Sequence, residues 1–232
     1  MNEKLFLLFI CFTFLFSNAA DCANAKVSEK INVFAVVSPN IEAAAIKASE
    51  ILHKEQGLEA FPFMGYQVHC TLYMTQYPAE ARDEVRSKIK RLADGVREFR
   101  VSTTGLEITS GNWFFINLER NRNLQALSDA VVKLLSPLRV PSDFIPDWAK
   151  SMPNKVEYIS KYGSPNVFDE FNPHLTLTAS TDGEKLANFL ETHFESDFAQ
   201  NISGEIIAIG YGIADRNGQI EKPIEIFPLR HK

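Results

Sequence analysis

Two short phrases, QVHCTLYM and NPHLTLTA, repeat a His-x-Thr-Leu core 105 residues apart (positions 69 and 174), and this repetition constrains the fold more than any other feature. The first places His69, Thr71 and Leu72; the second places His174, Thr176 and Leu177. Each phrase alternates polar and apolar residues, the period-2 pattern of a strand with one buried face. Strict alternation puts His69, Thr71 and Tyr73 on one face and Val68, Cys70, Leu72 and Met74 on the other. In the second copy His174, Thr176 and Thr178 share a face, opposed by Leu175, Leu177 and Ala179. An amphipathic helix follows each strand. PAEARDEVRSKIKRLADGV lines up Ala81, Val85, Ile89 and Leu92, and TDGEKLANFLETHFESDF opens with Thr181 and Glu184 at capping-box spacing. A chain that writes strand-then-helix twice, with the same polar stripe, predicts two similar halves facing each other.

The intervening text fills out an α+β pattern. INVFAVV (31–37) reads as an opening strand, followed by a helix in SPNIEAAAIKASEILHKEQ with Ser38 before it and Pro39 at its first position. REFRVSTTGLEI and NWFFINLE read as paired strands turned at Ser110–Gly111. NRNLQALSDAVVKLLSPL carries Leu124, Leu127, Val131, Leu134 and Leu138 at helical spacing. From Arg139 to Asn172 the prolines at 141, 146, 153 and 165 interrupt every candidate helix, while Phe144, Trp148, Tyr158 and Phe168 provide packing material. Long loops of this kind inside compact domains often act as lids. EIIAIGYGIAD and IEIFPL close the chain as strands.

The N-terminus reads differently from the rest. One lysine, twelve mostly apolar residues from Leu5 to Phe16, and the small-residue stretch SNAADCANA have the layout of a secretory leader, too short for a spanning helix. Cleavage after Ala19 or Ala25 satisfies the small-x-small rule, so residues 1–25 are expected to leave an exported, periplasmic or secreted protein. Residues 26–232 are expected to form one two-lobed domain, a monomer with no stable membrane span. A formal charge of −5 argues against a general binder of long nucleic acid, which normally shows a basic face.

The chemistry is concentrated in the two phrases. Residues two apart on a strand lie roughly 6.5 Å apart, so an imidazole and a hydroxyl can touch one phosphate-sized anion. Two such stripes across a cleft supply an acid, a base and two donors around one phosphorus. His53 and His193 fall in predicted helices and His231 in the terminal tail. No His-Glu-x-x-His or Cys-x-x-Cys spacing predicts a metal site, and no cofactor motif appears. Cys70 is expected as a buried small hydrophobe, with a Cys22–Cys70 bridge the alternative in an oxidising compartment. Tyr211, between glycines in AIGYGIA, together with Tyr162 and Phe34, is expected to line the cleft as an apolar wall for a flat group.

The paired HCTL and HLTL tetrads, their spacing and the opening strand VFAVV resemble the 2H phosphoesterase superfamily, which includes 2′-5′ RNA ligase-like proteins and cyclic phosphodiesterases. YGSPNVFDEFNPHLTLT further resembles a bacterial subgroup in which Tyr-Gly-x-Pro leads into the second tetrad. The resemblance implies a bilobal α+β fold with two antiparallel sheets around a central cleft and helices outside. It also implies metal-independent cleavage of a small cyclic phosphate or a short 2′-5′-linked oligonucleotide. His174 would be the general base and His69 the general acid, with Thr71 and Thr176 on the nonbridging oxygens. Ligation of 2′-5′ ends, and a non-catalytic module that binds a nucleotide or phosphate, are the alternatives.

Overall fold

The computed structural model describes residues 27–180, 182–194 and 199–231, and no helix among them is long and apolar enough to cross a membrane. The leader-like residues 1–25 and Cys22 lie outside this range. Seven strands and five α-helices are formed by the described residues. In chain order they are β1 (Ser28–Val37), α1 (Pro39–Gln56), β2 (Cys70–Pro78), α2 (Arg82–Gly95), β3 (Phe99–Ile108), β4 (Trp113–Leu118), α3 (Arg122–Leu135), α4 (Pro153–Tyr162), β5 (His174–Ala179), α5 (Gly183–His193), β6 (Gln200–Ile213) and β7 (Glu225–Pro228).

The strands pair antiparallel in the order β2-β1-β6-β3-β4-β5, with β7 also on β6. The two expected sheets are joined into one path because β3 belongs to both. Its first residues pair with β6 (Phe99↔Ile206 to Thr104↔Gln200) and its last with β4 (Thr103↔Leu118 to Ile108↔Phe114). The path curls until its end strands, β2 and β5, touch. α1, α2, α3 and α5 pack against the strands through their apolar faces. Ile41, Ala45, Ala48 and Leu52 of α1, Val85 and Ile89 of α2, and Leu124, Val131 and Leu135 of α3 join Val33, Leu72, Ile116, Leu175 and Ile209 in one core.

Local chemistry explains the helix ends. Ser38 precedes α1 with Pro39 at its first position, where a missing N–H costs nothing, and Gly57 ends it in the left-handed region at φ 65°. Asn121 caps α3 through its side chain, accepting from the N–H of Leu124 at 3.0 Å. The cap of α5 is Asp182, which accepts from the N–H of Lys185; Thr181, expected in that role, lies outside the described residues.

The segment from 139 to 172 corrects two expectations. Its prolines do not exclude a helix: Pro153 starts α4 rather than breaking it. Nor do all its aromatics pack, since Tyr158 and Phe168 lie against the core while Phe144 is 74 % and Trp148 56 % exposed. The segment runs beside β2, with the Val140 N–H donating to the Gln76 carbonyl at 2.8 Å and the Tyr73 hydroxyl donating to the Tyr162 carbonyl at 2.5 Å.

Candidate active site

Both His-x-Thr-Leu phrases contain the same departure from strict alternation. On β1 and β2 the register passes from Phe34↔Thr71 to Val33↔Tyr73, so Leu72 is an extra residue and the strand bulges. On β4 and β5 it passes from Phe115↔Thr176 to Phe114↔Thr178, which makes Leu177 the extra residue. A bulge sends two successive side chains to the same side. Tyr73 therefore follows Leu72 into the core, 1 % exposed, instead of joining His69 and Thr71. Thr178 likewise turns away from His174, 3 % exposed, and its hydroxyl donates to the Glu59 carbonyl at 2.6 Å. The polar stripe thus ends at the threonine in both copies. Met74 comes round to the cleft side and packs on Phe34.

The two phrases meet where β2 and β5 touch. The Cys70 thiol lies against the backbone N–H of His174, and His69 is close enough for its charge to act on His174. Both imidazoles are held in one manner. Nδ1 of His69 donates to the carbonyl of Gln67 at 2.8 Å, and Nδ1 of His174 to the carbonyl of Asn172 at 2.7 Å, each carbonyl two residues back. The neutral rings therefore carry their lone pair on Nε2. An aromatic ring from the neighbouring strand backs each one. Phe34 lies 5.1 Å from His69, tilted by 55°, and Phe115 stacks on His174 at 3.8 Å and 21°. Each of those phenylalanines sits opposite the threonine of its pair in the strand register.

The electrostatics of the pair are unequal. Burial holds His174 well below the ordinary imidazole range, down to about 4; its bond to Asn172 and the nearby Glu107 oppose the shift, and His69 adds to it by resisting a second positive charge. Burial also lowers His69, opposed by the Gln67 carbonyl and the Asp215 carboxylate. The Cys70 thiol is pushed up to about 12 by burial, which makes it a packing group and not a nucleophile; it is unpaired.

Three of the expected site residues take other places. Tyr211 pairs with Val33 on the helix-covered side of β6, is 1 % exposed, and stacks on Phe227 at an interplanar angle of 5°. Its flanking glycines do face the cleft side. What approaches them closely is the Phe34 ring at Gly210 and Ile220 at Gly212, not a ligand. Tyr162 belongs to a ring cluster with Tyr158 and Phe168 against the main core. Phe34 is on the cleft side but fully buried, so it supports His69 from behind and offers no surface to a substrate.

Sequence reasoning missed two residues that touch the histidines. Phe115 was hidden in the apolar run NWFFINLE. Asn32 stood out more, as a polar residue inside KINVFAVV on the same face as Phe34. It is fully buried, and its Nδ2 lies 3.2 Å from His69 Nε2, 2.9 Å from Thr71 Oγ1 and 3.0 Å from the Gly218 carbonyl. On the other half, Asn117 pairs with His174 in the register and donates to Glu107. Among the described residues no group of three or more His, Cys, Asp or Glu is placed to hold a metal ion.

Comparison with known proteins bears on this arrangement. The family described as "Protein of unknown function (DUF1045)" matches residues 74–210, a span that includes His174 and Thr176 and begins just after the first pair. Among curated proteins nothing matches the chain. Among solved structures, TT0787 of Thermus thermophilus is similar at 16 % identity with a TM-score of 0.55, covering 88 % of this chain and 99 % of its own. E. coli LigT complexed with 3′-AMP is similar at 12 % identity with a TM-score of 0.50 and the same coverage. The α+β fold is thus shared with TT0787 and E. coli LigT, and the chain belongs to the DUF1045 family of unknown function.

Proposed function

We propose that this chain is a metal-independent phosphodiesterase that opens a cyclic phosphate, such as a nucleoside 2′,3′-cyclic phosphate, or cleaves a 2′-5′ phosphodiester, by two-histidine acid/base catalysis. The observation that carries the reading is the matched anchoring of the two imidazoles. Each has Nδ1 tied to the carbonyl two residues back, which leaves Nε2 for proton transfer, and each has a threonine hydroxyl two residues on along the same face. Nε2 of His174 has no protein partner among the described residues and stays neutral through the physiological range, as a base must. Burial lowers His69 overall, and the Gln67 carbonyl and the Asp215 carboxylate act against that shift, favouring the proton an acid must carry.

In the hydrolytic direction His174 takes a proton from water as its oxygen bonds to phosphorus. The P–O bond to the departing ribose oxygen breaks, and His69 gives that oxygen its proton. The product is a phosphomonoester with a free hydroxyl. Thr71 and Thr176 donate to the nonbridging oxygens, where charge builds in the transition state. LigT, which shares the fold, has been crystallised with 3′-AMP, a ligand of the size this chemistry would leave behind.

Turnover of a nucleoside 2′,3′-cyclic phosphate in the presence of chelator tests the reading. His69→Ala and His174→Ala should each lose about 10²–10⁴-fold in turnover, the usual worth of a positioned proton donor or acceptor. Near-normal turnover in either variant, or activity abolished by chelator and restored by metal, would overturn it.

A further inference from the structure

The amide of Asn32 lies within hydrogen-bond distance of both members of the first pair, and its orientation is decided by a third contact. The Gly218 carbonyl, which can only accept, lies 3.0 Å from Nδ2, so the NH2 end of the amide must face Gly218, His69 and Thr71 together. Turning the amide over would set Oδ1 against that carbonyl. Oδ1 itself is buried and has no partner among the described residues, an arrangement that costs free energy and points to a constraint from function.

Two consequences follow from the donor inventory. A threonine hydroxyl has one hydrogen and two lone pairs. With the Asn32 N–H filling a lone pair, Thr71 has its hydrogen free for an acceptor in the cleft. At Nε2 of His69 the lone pair meets the same NH2 group, whose two hydrogens serve three acceptors and reach His69 only as a shared contact, because Nδ1 is already committed to Gln67. A proton on that nitrogen would point at another donor.

We propose that Asn32 is a positioning residue that makes Thr71 a hydrogen-bond donor toward substrate and keeps Nε2 of His69 unprotonated until an anion enters the cleft. The charged groups around His69 fit this coupling. Asp215 in the loop after β6 favours a charge on His69, Lys30 on β1 is tied to the Asp215 carbonyl, and a charge on His69 in turn holds His174 on β5 down. A phosphodiester anion between the histidines shifts that balance and brings the proton onto His69. Of the three Asn32 contacts the one to His69 is the longest, at 3.2 Å, and it can be given up while those to Thr71 and Gly218 hold the amide in place. The proposal rests on the phosphodiesterase reading for its purpose but not for its test.

Nitrogen NMR of the His69 ring, titrated with and without inorganic phosphate, decides it in the full chain. In the wild type the neutral ring should carry its proton on Nδ1, and phosphate should raise the titration midpoint. Asn32→Asp, which replaces the donor by acceptors, should raise the phosphate-free midpoint by about one pH unit or more. A neutral ring protonated on Nε2, or a midpoint unmoved in Asn32→Asp, overturns the proposal; the tautomer is read in the wild type and stands even where the variant fails to fold. Both readouts need no turnover, so they decide the Asn32 role even if no cyclic phosphate is hydrolysed. Where it is, Asn32→Ala should lower kcat about 10- to 100-fold with little change in KM. Adding Asn32→Ala to Thr71→Ala should then cost much less than the product of the two single losses. Full multiplicativity of the two losses would refute action through Thr71.

Discussion

Replacing Gly210 by Ala probes whether the packing beneath His69 governs the chemistry above it. A Cβ at Gly210 would lie 2.5 Å from both Cε2 and Cζ of Phe34, and 3.2 Å from Cγ1 of Ile226. Carbon atoms in favourable contact lie about 3.5–4.0 Å apart, so the ring must move by about 1 Å. It has little room to do so. Phe34 is fully buried among Ala214, Ile220, Val36 and Met74, with His69 on its remaining side. Overpacking of this kind costs about 1–3 kcal/mol. For a domain of this size that lowers Tm by roughly 2–12 °C. A ring driven toward His69 also tilts an imidazole whose Nδ1 is anchored on Gln67, and Nε2 swings the furthest. A misplacement of about 1 Å can cost on the order of 10²-fold in rate. Thermal denaturation, with turnover of a cyclic phosphate measured well below Tm, gives both quantities. Gly212→Ala is the control, because its Cβ would meet Ile220 Cγ2 at 2.9 Å and not Phe34. It should lose stability with a much smaller loss of turnover. Wild-type Tm and turnover in Gly210→Ala would refute the packing argument, and equal losses of turnover in both variants would refute the route through Phe34.

Other outcomes follow from the same site. Because both histidines are held below their ordinary range, kcat/KM for a cyclic phosphate should be bell-shaped with its maximum below about pH 6.5; a maximum above neutrality, with the same substrate, contradicts the site electrostatics. The depressed pKa of His174 also makes the unfolded chain bind more protons between pH 6.5 and about 4, so stability falls as pH falls through that window. Since His174 is partly exposed, its share is about 1–2 kcal/mol, and urea unfolding of His174→Gln should lose that much less than the wild type over the window. The Cys70 thiol, buried and pushed up to about 12, should react with a thiol probe no faster than the protein unfolds; rapid labelling of the native protein at that residue would show the packing to be wrong. Finally, we propose that the leader-like residues 1–25 are removed on export, so N-terminal sequencing of the exported protein should find a start near Ala20 or Lys26, and an intact Met1 on the soluble cytoplasmic chain would count against it.

The histidines and threonines were legible because strand alternation is a local property. Residues two apart face the same way whatever lies beside the strand, so His69 with Thr71, and His174 with Thr176, could be paired from sequence alone. Alternation failed one step later, at Tyr73 and Thr178, because a bulge is set by the register between two strands and not by either strand's own residues. The same limit explains Tyr211. Its glycine neighbours do mark a close approach, but the choice of which side of β6 faces the helices belongs to the sheet as a whole.

What the sequence determined by itself was most of the elements and the chemistry each could carry: two His-x-Thr strands, the helices after them, and Ser38 with Pro39 at a helix start. Their residue spacings and capping groups act over three or four positions, and nothing distant alters them. The tertiary structure alone decided that β2 and β5 meet at the ends of one curled strand path, bringing together histidines 105 residues apart. It also decided that Phe34 and Phe115 back the rings, and that the buried amide of Asn32 reaches His69 and Thr71 across the bulge. Those contacts depend on which strands become neighbours and in what register, and that choice is made by burial of the whole core, where no single segment's pattern can express it.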